Sequence, residues 1–110
     1  MTTTTATEIL IKSQIKPRIE PKLNIKEPRM FKVIYINDEV TTAEFVIESL
    51  VTIFNLEHSV AEDLTQKIHE DGSAVVSIMP YEIAEQKGIE VSFLARRQGY
   101  PLEIKLEAEE

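Results

Sequence analysis

Asn37, Asp38 and Glu39 set one side-chain amide and two carboxylates in a row, directly after the apolar run Phe31-Lys32-Val33-Ile34-Tyr35-Ile36. Thr41 follows, with Glu44 three residues further on in the spacing of a capping box. The trio therefore falls at a strand-to-helix junction, where side chains point out of the fold. Acceptors with negative charge at such a place suit a small cationic group. A peptide's α-ammonium, charged near neutral pH, is one. His69, within Ile68-His69-Glu70-Asp71-Gly72-Ser73, is the natural third partner. Plainer readings stand beside this one. An Asn-Asp pair after a strand often makes a turn whose side chains bond the local backbone, and a lone helical histidine is often a surface residue.

Catalysis finds little support. His58 and His69 are the only histidines, and neither has a glycine-framed nucleophile nearby. Ser73 is close to His69 in sequence, but nothing in the spacing marks an oxyanion hole. A metal site would have to use His58 with Glu57 or Glu62, and no HExxH pattern occurs. The glycines Gly72, Gly88 and Gly99 form no phosphate-binding loop. Without cysteine, disulfides and thiolate chemistry are excluded.

The elements that must position these residues alternate cleanly. Phe31–Asn37 reads as a strand. Thr41 opens a helix to about Asn55, with Val46, Leu50, Ile53 and Phe54 as its apolar stripe. Ser59 and Glu62 form a second capping box. The helix they open turns Val60, Ala61, Leu64 and Ile68 inward and stops at Gly72, which can take the left-handed C-terminal conformation. Ser73–Met79 is a second strand. Pro80, in a first helical turn, opens a third helix to about Gln98, and Leu102–Leu106 is a last strand. The expected architecture is α+β: a β-α-α-β-α-β sandwich of a three-stranded antiparallel sheet and three helices.

The 110 residues make one domain with a tail. Residues 1–29 hold Pro17, Pro21 and Pro28 and no glycine, which predicts an extended, flexible arm. Its Ile9, Leu10, Ile11 and Ile15 make a short apolar motif. The net charge of −7 divides unevenly, at +3 over residues 1–29 and −10 over residues 30–110. An acidic domain repels phosphate backbones, so nucleic acid is not expected as a partner. No apolar run approaches the ~18 residues that a membrane helix needs, and the first residues lack the apolar core of a secretory signal.

The segments around Asn37-Asp38-Glu39 and Ile68-His69-Glu70 together resemble the ClpS family, adaptors that bring N-degron substrates to Clp-type AAA+ unfoldases. The resemblance runs without a gap from about Met30 to Glu107. It implies this same fold for residues 30–110 and a role without catalysis or cofactor, since ATP belongs to the partner. It also implies that Asn37, Asp38 and His69 bind the substrate's amino-terminal amine. Asp38 would supply charge, Asn37 an amide oxygen and His69 a neutral imidazole nitrogen. Thr41, Ala43, Val46, Thr65, Ile68 and Leu102 match the pocket for the first side chain, and Glu39 a contact to the second peptide residue. Glu82, Ala84 and Lys87 match positions that dock on the unfoldase's amino-terminal domain. The arm would reach the unfoldase and assist hand-over. Substrates would be proteins or peptides with bulky hydrophobic first residues, and the protein a monomer of the cytoplasm, with a plastid stroma as the alternative that the short acid-containing arm speaks against.

Two positions depart from the commoner pattern. Ala43 and Thr65 stand where many bacterial members have methionine, which is long and adaptable. The expectation is a reshaped cavity, with a changed order among Phe, Tyr, Trp and Leu and room for β-branched first residues. The Thr65 hydroxyl would favour a more polar first side chain. Thr42 replaces a proline usual before that helix. The competing expectation is a diverged scaffold that docks on a Clp unfoldase without recognising amino-terminal residues, because a small α+β fold alone fixes no task.

Overall fold

The computed structural model describes residues 27–110. Their elements are β1 (Met30–Ile36), α1 (Ala43–Thr52), α2 (His58–Asp71), β2 (Ser73–Pro80), α3 (Tyr81–Arg97) and β3 (Glu103–Ala108). The expected order β-α-α-β-α-β is present. Of the arm expected over residues 1–29, all but the last three residues lie outside the described part, including Ile9, Leu10, Ile11 and Ile15.

β1 is the central strand of an antiparallel sheet ordered β2-β1-β3. Strand alternation puts Val33 and Tyr35 on one face. There they meet Ala74 and Val76 of β2 and Ile104 and Leu106 of β3, and all three helices stack on this face. The register slips once, between Val33 opposite Ser77 and Ile34 opposite Val75. The extra residue, Val76, is buried; such a bulge bends its strand and increases the local twist. Fully buried Val33, Tyr35, Leu50, Val91 and Leu102 form the centre of the core. Each aliphatic one contributes roughly 1.5–3 kcal/mol by leaving water.

The α1 stripe of Val46 and Leu50, continued by Ile53 and Phe54, is buried as its spacing predicts. The helix is shorter than expected, because Asn55 takes a φ of 59° and cannot continue it. Its cap is also one residue later. Thr42, not Thr41, accepts the Phe45 N–H at 3.2 Å, because the Thr41 hydroxyl is already bonded to Asp38. α2 starts before the expected Ser59 cap, from Glu57, with no side-chain cap bond. That earlier start leaves Val60 exposed, while Ala61 and Ile68 are buried and Leu64 packs at the core's edge. Pro80 ends β2 and serves as the N-cap of α3 rather than lying in its first turn. β3 begins one residue after Leu102.

Candidate functional site

The end of β1 is tied to the end of α2 by one backbone bond. Asn37 N–H donates to Gly72 O at 2.9 Å, while Gly72 N–H closes α2 onto Ile68 O at 2.9 Å. Gly72 has φ 91°, the left-handed conformation that lets the helix stop and the chain enter β2 at once. This junction places exposed Asn37 beside His69, in the last turn of α2.

Asp38 organises the next turn. Its Oδ1 accepts from the backbone N–H of Val40 and of Thr41, both at 2.7 Å, and its Oδ2 accepts from the Thr41 hydroxyl at 2.8 Å. The plain reading of this pair as a turn is therefore present in Asp38. It does not exclude a ligand role, since each carboxylate oxygen has two lone pairs. Partial burial pushes the Asp38 carboxyl up. The bonds from Thr41 and Val40, with the positive charge of Arg96, outweigh it and hold the group below its ordinary value. The carboxylate is thus kept charged and fixed in direction.

Arg96 also fastens the neighbouring loop, donating from Nη1 to Tyr100 O and Leu102 O, each at 2.9 Å. Tyr100 in turn packs edge-on against Phe45, with ring centroids 5.3 Å apart, and its hydroxyl lies 3.4 Å from the Thr42 hydroxyl. The start of α1 is held from both sides.

Behind the polar turn opens a cleft of about 540 Å³. Asn37, Asp38, Glu39, Thr41, Ala43, Val46, Thr65, Ile68 and His69 all line it. Buried Val46 and Ile68 supply apolar surface, one from each helix. Val46 is braced from beneath, as Ser49 Oγ donates to Val46 O at 2.8 Å and accepts from the Tyr35 hydroxyl at 2.7 Å. Leu102, 2 % exposed, belongs to the core and is not among the residues that line this cleft. Gln66 does line it and was missed. Its position one turn before His69 on the same helix face was the available signal. The Thr65 hydroxyl donates to Ala61 O at 2.7 Å. It has only acceptor capacity left to offer, which narrows the expected preference for polar first residues.

The expected docking trio separates. Glu82 is exposed in the first turn of α3. Ala84 is 0 % exposed against the sheet, so it presents no side-chain surface of its own. Lys87 Nζ donates to Ile53 O at 2.9 Å, closing the carboxyl end of α1, and is only half-exposed. Around Glu82 lies a second cavity, shared by Pro28, Phe31, Tyr81 and Ile83, with Phe31 and Tyr81 in edge contact at 5.0 Å. It sits at the opposite end of β1 from the cleft. His58, on the far side of α2, has Nδ1 3.5 Å from Glu62 Oε2, both side chains well exposed. Among the described residues no group of three or more His, Asp or Glu side chains is placed to hold a metal. Among them, too, no helix is long and apolar enough to cross a membrane.

Comparison with known proteins bears on this arrangement. Residues 26–105 match the family model of the ATP-dependent Clp protease adaptor protein ClpS. The ATP-dependent Clp protease adapter protein ClpS of Clostridium acetobutylicum is 40% identical over 96 residues, covering 87% of this chain and 95% of that one. The corresponding protein of Nautilia profundicola is 41% identical over 92 residues, covering 84% and 95%. Among solved structures, Agrobacterium tumefaciens ClpS2 bound to L-phenylalaninamide superposes with a TM-score of 0.72 and 34% identity. That match covers 76% of this chain and all of the other.

Proposed function

The chain belongs to the ClpS family of Clp protease adaptors, and on that premise we propose that it binds the free first residue of N-degron substrates. It then delivers them to a Clp-type AAA+ unfoldase for ATP-dependent proteolysis. One observation carries the reading: the acceptors Asn37, Asp38 and His69 stand at the mouth of a cleft that Val46 and Ile68 make apolar. Amine and side chain of one residue are thereby met together. L-Phenylalaninamide, the ligand in the Agrobacterium structure, has this pair of features: a free α-amine and a bulky apolar side chain.

The energetics divide accordingly. Each hydrogen bond to the charged amine contributes roughly 1.5–3 kcal/mol. Burying a large first side chain contributes roughly 1.5–3 kcal/mol more. Amine and side chain are thus about equal partners, and a blocked amine or a small first residue each removes one. Ala43 and Thr65 leave the wall without the length of methionine, so the cleft accepts broader or β-branched first residues. Glu39, on the rim of the same cleft, contacts the second residue in this reading.

Delivery uses the other end of the sheet. Glu82, with the exposed Tyr81 and Ile83, forms the docking face for the unfoldase's amino-terminal domain, and the arm of residues 1–29 assists hand-over. The protein works as a cytoplasmic monomer and catalyses no reaction itself.

The test is a titration with fluorescent peptides that differ only in residue one (Phe, Tyr, Trp, Leu, Met, Ile, Val, Arg), each with an N-acetylated copy. Binding of free-amine peptides that acetylation abolishes supports the reading. The double substitution Ala43→Met with Thr65→Met should narrow the accepted set, losing Ile and Val first. Absence of binding to every peptide would leave the scaffold alternative.

A further inference from the structure

A groove of about 470 Å³ runs along α3 beside the edge strand β3, away from the cleft. Ile89, Phe93, Ile104 and Leu106 make its walls apolar. Ile89 is 63% exposed and Phe93 61%, the most exposed large apolar side chains among the described residues. Glu85, Ile89, Ser92 and Arg96 line the groove in the order they follow on α3, at steps of four, three and four residues. That spacing keeps them on one stripe and is the spacing by which one helix meets another.

We propose that this stripe docks against the same stripe of a second copy of the chain, the two α3 helices lying antiparallel about a twofold axis. The charges at its ends select this occupant and this direction. With the axis midway between Glu90 and Val91, Glu85 of each copy stands level with Arg96 of the other, and Ile89 with Ser92. Ile89 also comes against Phe93 of the other copy, so the two most exposed apolar side chains cover each other. A parallel pair would set Glu85 against Glu85 and Arg96 against Arg96. Both charged groups keep capacity to offer. Glu85 accepts from the Tyr81 hydroxyl through Oε2 at 3.1 Å, which leaves Oε1. Arg96 donates to Tyr100 O and Leu102 O through Nη1, one corner of a fork with five donors.

Gly88 is an independent sign on the same groove. It lies inside α3 without a positive φ, and a Cβ there would meet only Ile104 Cγ2, at an ordinary 3.6 Å. A single chain would form this helix better with alanine in that place, whereas a second helix drawn close gains room from bare backbone. The charge of −10 over residues 30–110 opposes the approach of two copies. Pairing therefore belongs to concentrated protein, and the single chain is the working form. On the docking reading given above, pairing also withholds the chain from the unfoldase, because Glu82 comes opposite the turn at Gly99 of the second copy.

The chain has no cysteine, so introduced ones report contact without background. Packed helix axes lie about 8–10 Å apart, which brings facing Cα atoms within the reach of a disulfide. Full-length Ile89→Cys and Ser92→Cys chains, mixed and oxidised, should give the mixed disulfide in excess of either homodimer by more than the twofold of random collision. Glu85→Cys should not crosslink with itself, and efficient self-crosslinking there would overturn the antiparallel direction. In sedimentation equilibrium the unaltered full chain should rise from 12.5 kDa toward twice that mass between about 10 μM and 1 mM. Phe93→Asp and Glu85→Lys, both at exposed sites, should each raise the midpoint concentration at least about tenfold and leave first-residue binding unchanged. A chain that stays at 12.5 kDa throughout overturns the proposal. A dimer that both substitutions leave intact overturns it too, because another surface would then hold the copies together. Mass and crosslinking are read without substrate, so their outcome is separate from that of the peptide titration.

Discussion

Replacing Asp38 by asparagine separates two jobs that this side chain does at once. The carboxylate accepts three hydrogen bonds that build the turn and, in the proposed function, also carries the charge offered to an amine. Asparagine keeps Oδ1 for the N–H groups of Val40 and Thr41, and its Nδ2 can donate to the Thr41 hydroxyl in place of accepting. The turn should survive at a cost below about 1 kcal/mol. The charge does not survive. A hydrogen bond to a charged group is worth roughly 1.5–3 kcal/mol, so affinity for a Phe-leading peptide should fall about 10- to 150-fold. Alanine removes all three acceptors as well. By analogy with a lost helix cap it costs about 1–2 kcal/mol of stability, or a fall in Tm of roughly 5–15 °C.

The assay is fluorescence anisotropy with free and acetylated peptides, run beside thermal unfolding. The expected pattern is that both variants lose affinity alike, while Asp38→Ala loses clearly more Tm than Asp38→Asn. An Asp38→Asn protein that binds within twofold of the unaltered chain would refute the charge role and leave Asp38 as a turn residue. Acid adds a second check. The folded-state pKa lies below the ordinary 3.8. The carboxylate's contribution to stability is therefore complete above that value and disappears as pH falls through the lower folded one. The Tm difference between the unaltered chain and Asp38→Asn should be constant from pH 7 to about 4 and close below that.

Tyr35 gives a prediction of opposite sign. Burial raises its pKa above 10.0, with the Ser49 bond opposing, so its neutral form is the one that the fold favours. That contribution is intact below pH 10 and lost as pH rises above it, while the unfolded phenol ionises. Tyr35→Phe should cost about 1 kcal/mol at pH 7 and should lose less stability than the unaltered chain between pH 9 and 11, read as urea midpoints. Gly72→Ala meets no atom within 4 Å, so only its φ of 91° is strained. The expected loss is about 1–2 kcal/mol by urea denaturation, with weaker peptide binding because Asn37 hangs from Gly72 O. Unchanged stability would mean that the left-handed cap does not end α2.

The order of elements, the inward stripe of α1, the stop at Gly72 and nine of the cleft's residues were legible in the sequence. The elements, the Gly72 stop, Asn37-Asp38-Glu39 and His69 are announced by local signals (helical spacing, a glycine at a helix end, an acceptor-rich turn after a strand), whereas Thr41, Ala43, Val46, Thr65 and Ile68 were reached through the resemblance to the ClpS family. What the sequence left open depends on competition between neighbours. Thr41 and Thr42 are both able to cap α1, and the choice fell to Thr42 because Asp38, three residues earlier, took the Thr41 hydroxyl. Ala84 carries no signal of its depth in one dimension, and Lys87 reads as solvated helix surface. Packing of α3 on all three strands buries the first, and the nearby end of α1 gives the second a carbonyl. Gln66 lines the cleft and Leu102 lies in the core for the same reason: which side of a wall a residue faces depends on how elements far apart in sequence come to rest against each other. The chemistry of the proposed amine site was written in residue types and short spacings. Its depth, its walls and the groove along β3 exist only once the sheet and helices close on one another.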